Sequence, residues 1–305
     1  MTARSALFVG DASVDLTMTV DHVPAPDEKV HASSAEEAAG GVVGNAAVAC
    51  ARTGARVAFL GQLGDDGPGR MIAASLEAEG ITVEAGLAPG GTCRVVILIE
   101  PHGEKRLLLY PGGSMYPVRS LVERQPLEGV GWVHTAVYDI DAAALLAARC
   151  RAAGIPWSVD LEPATIPDDV DRIRPFIDGA AAVFVNARAA ARLGDPVARL
   201  GLLGARAVVL TRGPGGAVLV SEDCNVVAAP APPVRAVDTT GAGDCLAGWF
   251  VAGRLEGLSP GHALRRAVVA ATISCARPGG QASFPTRAEV IERLRGEPDI
   301  QNEKV

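Results

Sequence analysis

The sequence predicts an α/β protein built on a doubly wound, mainly parallel sheet, with a small β-sheet lid assembled from two separate stretches of chain. Three observations carry this. Short apolar runs alternate with longer, alanine-rich stretches along the 305 residues. Those runs lack strict apolar/polar alternation, as expected for strands covered by helices on both faces. Two stretches break the rhythm with polar residues and turn signals.

In chain order, the strand candidates are residues 6–10 (ALFVG), 57–61 (VAFLG), 132–136 (WVHTA), 157–160 (WSVD), 182–186 (AVFVN) and 207–211 (AVVLT). Helix candidates lie between them at 45–53, 70–79, 141–153 and 196–204. Strands alternating with helices of this length favour parallel pairing through right-handed crossovers. The interruptions fall at 13–35 and 92–111. In the second, VVILI (95–99) and RLLLY (106–110) flank Pro101, His102, Gly103 and Glu104, so the Pro and Gly set a β-hairpin turn. The expected division therefore gives 1–12, 36–91 and 112–305 to the main domain, and 13–35 with 92–111 to the lid. No repeat or flexible linker subdivides the chain further, and its last ten residues read as a frayed polar tail.

With 49% hydrophobic and 21% charged residues, disordered and fibrous classes are excluded. A net charge of −7 argues against a general nucleic-acid binder, whose affinity rests on a basic face. No segment reaches the roughly 18 apolar residues of a membrane span, and no leader-type segment opens the sequence. A cytoplasmic protein is expected. The six cysteines show no CxxC or Cys/His pairing, and the five histidines show no metal or triad spacing.

The sharpest local signal is Asp238-Thr239-Thr240-Gly241-Ala242-Gly243-Asp244, which runs into Leu246, Ala247, Phe250 and Val251 at helical spacing. Small residues feeding a helix start make an anion seat. The first-turn N–H groups lack intrahelical partners, and the helix dipole favours negative charge there. A carboxylate on that first turn stands where a hydroxyl attacking a bound phosphate must give up its proton.

This segment resembles the C-terminal signature of the PfkB/ribokinase family of carbohydrate kinases. Gly40-Gly41-Val42-Val43-Gly44-Asn45, followed by the stretch from Arg52 to Gly69, resembles that family's first signature. The resemblance implies the ribokinase-like fold and ATP-dependent phosphorylation of a hydroxymethyl group on a small sugar or ketose. Asp244 would be the general base, with the backbone of Gly241, Ala242 and Gly243 as the anion hole. It implies acceptor contacts from Asp15, Gly40, Gly41 and Asn45, and nucleotide contacts from Asn186, Thr211, Arg212, Gly213, Gly241 and Gly243. Arg212 either reaches a phosphate or is simply solvated. A monovalent cation, potassium in many members and held mainly by backbone oxygens, would match Asp238, Thr240, Ser274, Arg277, Gly279 and Ser283. Mg²⁺ would accompany ATP.

One departure is plain. Many members carry N-x-x-E after a strand, but Asn186-Ala187-Arg188-Ala189 keeps the asparagine and lacks the acid. Within the family, Gly103-Glu104-Lys105-Arg106, Tyr110-Pro111 and the 277–282 segment (RPGGQA) look most like the branch containing sulfofructose kinase, and Lys29 matches an anion-contacting lysine there. Lys29 is equally readable as a solvated lid lysine. Leu109 and Tyr138 stand where that branch's sulfonate partners are expected, so a sulfosugar acceptor is disfavoured. A nucleoside kinase is the nearest alternative, although 4% aromatic content suits a base-binding pocket poorly. A catalytically weak sugar or nucleotide sensor is the alternative from another class. Apolar lid strands imply a homodimer through paired lids.

Overall fold

The computed structural model describes residues 4–102, 104–113, 115–296 and 302–304. Gly103, in the turn of the expected hairpin, lies outside them. The large sheet opens with β1 (Ser5–Val9), whose side chains divide between two cores. Ala6 and Phe8 pack on one face, Leu7 and Val9 on the other, and all four are fully buried. This two-sided burial explains why the run is apolar without alternation.

Parallel to β1 lie β4 (Val57–Leu63) on one side and β8 (Val130–Ala136) on the other. The sheet extends through β9 (Trp157–Leu161), β10 (Ala182–Val185) and β11 (Ala207–Thr211), all parallel, and past β4 to β5 (Thr82–Leu87). Beyond β11 the direction reverses. β12 (Ala217–Ser221) and β13 (Asn225–Ala229) are antiparallel, and Asn302–Lys304 pairs with β13 as the outermost strand, so part of the expected frayed tail is strand.

One face is covered by α1 (Val42–Ala51), α2 (Gly67–Ala78), α8 (Ala242–Leu255), α9 (Pro260–Ser274) and α10 (Arg287–Leu294). The opposite face carries α3 (Arg119–Arg124), α4 (Ile140–Ala153), α5 (Arg174–Ile177), α6 (Ala187–Leu193) and α7 (Pro196–Leu202). Trp132, Trp157 and Trp249 are core residues. So is His134, which meets Phe8 and Phe184 edge-on and bonds Ser158 through Nδ1 at 2.8 Å. Burial holds its imidazole down at about 3, so it is neutral.

Helix α1 begins before the expected residue 45, and its start has a visible cause. The buried Asp11 carboxylate, just past β1, accepts from the Val42 and Val43 N–H groups at 2.9 and 3.2 Å and so caps the helix from another element.

A second sheet of four strands has the order β3 (Ala32–Gly40), β2 (Ser13–Val20), β6 (Arg94–Ile99) and β7 (Lys105–Tyr110). β2–β3 and β6–β7 are antiparallel hairpins, joined by a parallel β2–β6 seam. Strand β3 carries this sheet on to Gly40, beyond the expected end at residue 35. Among the described residues no helix is long and apolar enough to cross a membrane.

Candidate active site

The carboxyl ends of the parallel strands and the start of α8 converge on one region. Gly241 caps α8 with φ +72° and contributes no side chain to the first-turn N–H groups. The Ala242 N–H donates to the Thr239 carbonyl at 3.3 Å, while the N–H groups of Gly241, Gly243 and Asp244 have no backbone acceptor among the described residues. An open helix N-terminus of this kind is a ready seat for an anion.

Asp244 stands on that first turn. Its Oδ2 accepts from Asn45 Nδ2, on α1, at 2.8 Å, and Asn45 Oδ1 in turn accepts from Gln281 Nε2 at 3.1 Å. Asn45, expected to meet the acceptor, is thus also the residue that orients Asp244. Burial pushes the Asp244 carboxyl well above its ordinary range. The Asn45 hydrogen bond opposes this, whereas Glu162, Asp11 and Asp15 add to it by repulsion. Asp11 is raised to about 6 by burial, and Asp15, Asp160 and Glu162 are raised for the same first reason.

Asp15 lies on β2, with Oδ1 accepting from Ser13 Oγ at 2.7 Å. The glycine pair has separate physical duties. A Cβ at Gly40 would collide with the Asp15 carboxylate. Gly41 has φ +94°, and a Cβ there would sit 2.6 Å from Ala12 Cα. Lys29 is exposed in the loop joining β2 to β3, and Leu109 is exposed on β7. Burial drives the Tyr138 hydroxyl up, and repulsion from Asp11, Glu162, Asp160 and Asp244 adds to it.

On the other side of Gly243 opens a cleft of about 940 Å³, lined by Asn186, Thr211, Gly213, Thr239, Ala242 and Gly243, with α9 residues on its far wall. Asn186 caps α6 by accepting from the Arg188 and Ala189 N–H groups at 3.0 and 2.9 Å. Arg188 lines the cleft, whereas Arg212 is exposed outside the lining. Neither Arg188 nor Gln281 was singled out from sequence. Gln281 lies in the quoted RPGGQA segment, which was the available signal.

The residues matched to a monovalent cation are close together but engaged. Asp238 accepts from Thr240 N, Thr240 Oγ1, Gly279 N and Lys105 Nζ at 2.7–3.0 Å. Ser274 and Ser283 hydroxyls donate to the Ala271 and Gly280 carbonyls, and Arg277 pairs with Glu289.

The pattern of PfkB family carbohydrate kinases matches residues 3–287. The chain belongs to this family. The ribokinase of Bacillus subtilis is 31% identical over 306 aligned residues, which cover 95% of this chain and 99% of the relative. An acarbose 7(IV)-phosphotransferase of Actinoplanes is 29% identical, covering 93% of this chain and 96% of the relative. Arabidopsis thaliana ribokinase, solved with ribose and ATP, superposes with a TM-score of 0.83 at 23% identity, over 97% of this chain and 100% of that one, and so shares the fold. The protein is accordingly a phosphotransferase of the PfkB family of carbohydrate kinases.

Proposed function

We propose that this PfkB kinase transfers the ATP γ-phosphoryl group to a primary hydroxyl of a small sugar or sugar-like ring, with Asp244 as general base. One observation carries the reading: a carboxylate oriented by Asn45 stands on the open first turn of α8, where the nucleotide cleft ends. Asp244 takes the hydroxyl proton as the acceptor oxygen attacks the γ-phosphorus and the bond to the ADP oxygen breaks. The open N–H groups of Gly241 and Gly243 offset charge on the transferring group. Asp15, with Gly40 leaving room for its carboxylate, binds acceptor hydroxyls from the lid side, while Thr211 and Gly213 border the nucleotide.

Among the described residues no cluster of three or more His, Cys, Asp or Glu is arranged to hold a metal by itself. Magnesium needs fewer protein ligands than that, since it keeps several waters and takes phosphate oxygens. Leu161 and Val185 are register partners at the ends of β9 and β10, and Glu162 and Asn186 each follow by one residue, so Glu162 is a candidate for the acid that Ala189 does not supply. Bound with ATP, the ion would neutralise phosphate charge. An ADP-release assay across a sugar and nucleoside panel tests the reading. Acceptor-stimulated ADP formation, lost on EDTA treatment and restored by Mg²⁺, is expected; acceptor binding without it would indicate a sensor.

The acid limb of the pH profile gives a second check. A base with a raised pKa is protonated, and idle, over a wider acidic range, so kcat/KM rises with pH through that value. Because the Asn45 N–H favours the ionised form, Asn45→Ala raises the pKa further and moves the acid limb to higher pH. An unmoved limb would mean that Asp244 is not the titrating group.

Leu107, Leu108, Leu109 and Tyr110 are each more than half exposed on the edge strand β7. Pairing of two such edges supports a homodimer, for which light scattering should give the mass of two chains.

A further inference from the structure

Among the described residues, the hydrogen bonds between the lid strands and the anion-seat loop come from one side chain. Lys105, the first residue of β7, reaches across to place Nζ 2.8 Å from Asp238 Oδ1 and 2.5 Å from Thr240 Oγ1. The contact is not a loose surface pair, since the Lys105 side chain is 30% and the Asp238 side chain 18% exposed. Asp238 Oδ1 accepts from Lys105 Nζ, Thr240 N and Thr240 Oγ1, and Oδ2 from Gly279 N, so the carboxylate already has an ammonium against it. Arg277 adds a second cation nearby, paired outward to Glu289. The Ser274 carbonyl, another of the matched positions, accepts the Arg277 N–H.

A bound alkali ion needs surrounding oxygens and a surplus of negative charge to repay its dehydration. Here the charge of Asp238 is met by a residue of the chain itself, whose ammonium also takes the Thr240 hydroxyl. We propose that Lys105 replaces the monovalent cation beside this loop, so that ATP binding and phosphoryl transfer are independent of potassium. The inference rests on the kinase reading above. It makes Lys105 a positioning residue, acting on the anion seat through Asp238 and Thr240.

The test compares potassium with tetramethylammonium, an ion too large for such a site, as the only monovalent cation at equal ionic strength. The wild-type protein should show ATP dissociation constants by calorimetry, and kcat/KM for ATP, that agree within about twofold between the two salts. Lys105→Met should weaken both by about tenfold or more in tetramethylammonium and recover part of the loss in potassium; Lys105→Arg should retain most of the wild-type values without potassium. Potassium rescue is the informative readout, because a merely structural lysine would not give it. Stimulation of the wild-type protein tenfold or more by potassium overturns the proposal, as does a folded Lys105→Met protein that loses nothing in tetramethylammonium. If no acceptor is ever phosphorylated, the kinase reading fails, and the calorimetric comparison still decides the role of Lys105.

Discussion

Asp244→Asn lowers kcat by roughly 10²–10⁴-fold, the usual contribution of a positioned general base, while ATP affinity changes little. Retention of more than about a hundredth of wild-type kcat would remove Asp244 from the role. The same variant carries a stability signature of opposite sign. Burial raises the folded-state pKa of this acid, so holding it ionised costs stability at every pH above its unfolded value. Asparagine removes that cost and can keep the contact with Asn45. The variant should therefore melt at or above the wild-type temperature at neutral pH, with the difference closing as the pH falls below the ordinary carboxylate range. Loss of activity with gain of stability separates a functional carboxylate from a structural one.

Gly248→Ala should damage both fold and site. Gly248 lies on α8 one turn beyond Asp244, where a Cβ would collide with the Ala46 carbonyl and come within 2.9 Å of the Cys50 nitrogen on α1. Alanine in place of a helical glycine gains up to about 1 kcal/mol from propensity. Overpacking against a backbone that cannot rotate away costs about 1–3 kcal/mol, so the clash wins. The urea midpoint should fall by the equivalent of about 1 kcal/mol, the excess of the clash over the propensity gain. Because Asn45 is next to Ala46, separation of α1 and α8 should also loosen the Asn45–Asp244 bond and lower kcat/KM for the acceptor. A raised midpoint would show that this close crossing is not what holds the helices together.

Much of this was legible in sequence because it depends on local chemistry. The parallel strands announced themselves by two-sided burial, and the Gly241 to Asp244 turn by its small residues ahead of a helical pattern. What escaped depends on partners far apart in the chain. The start of α1 is set by Asp11, from a different strand, so no capping residue beside the helix could reveal it. The antiparallel strands β12 and β13 resemble any apolar run, since direction is decided by the loop that returns the chain. Gln281 and Arg188 acquire roles only once α1 and β10 bring their neighbours into place. Lys105 stood out in sequence only within the 103–106 stretch that resembles one branch of the family, and its reach to Asp238 crosses from the lid sheet to the loop before α8.

The lid's construction makes it a single plate. Its two hairpins share the β2–β6 seam, so Asp15 on one and Lys105 on the other travel together. On the readings given above, a polyol held by Asp15 also steadies the Lys105 ammonium against the loop beside the phosphates. The acceptor then acts as its own licence, since filling the pocket tightens a contact on which transfer depends.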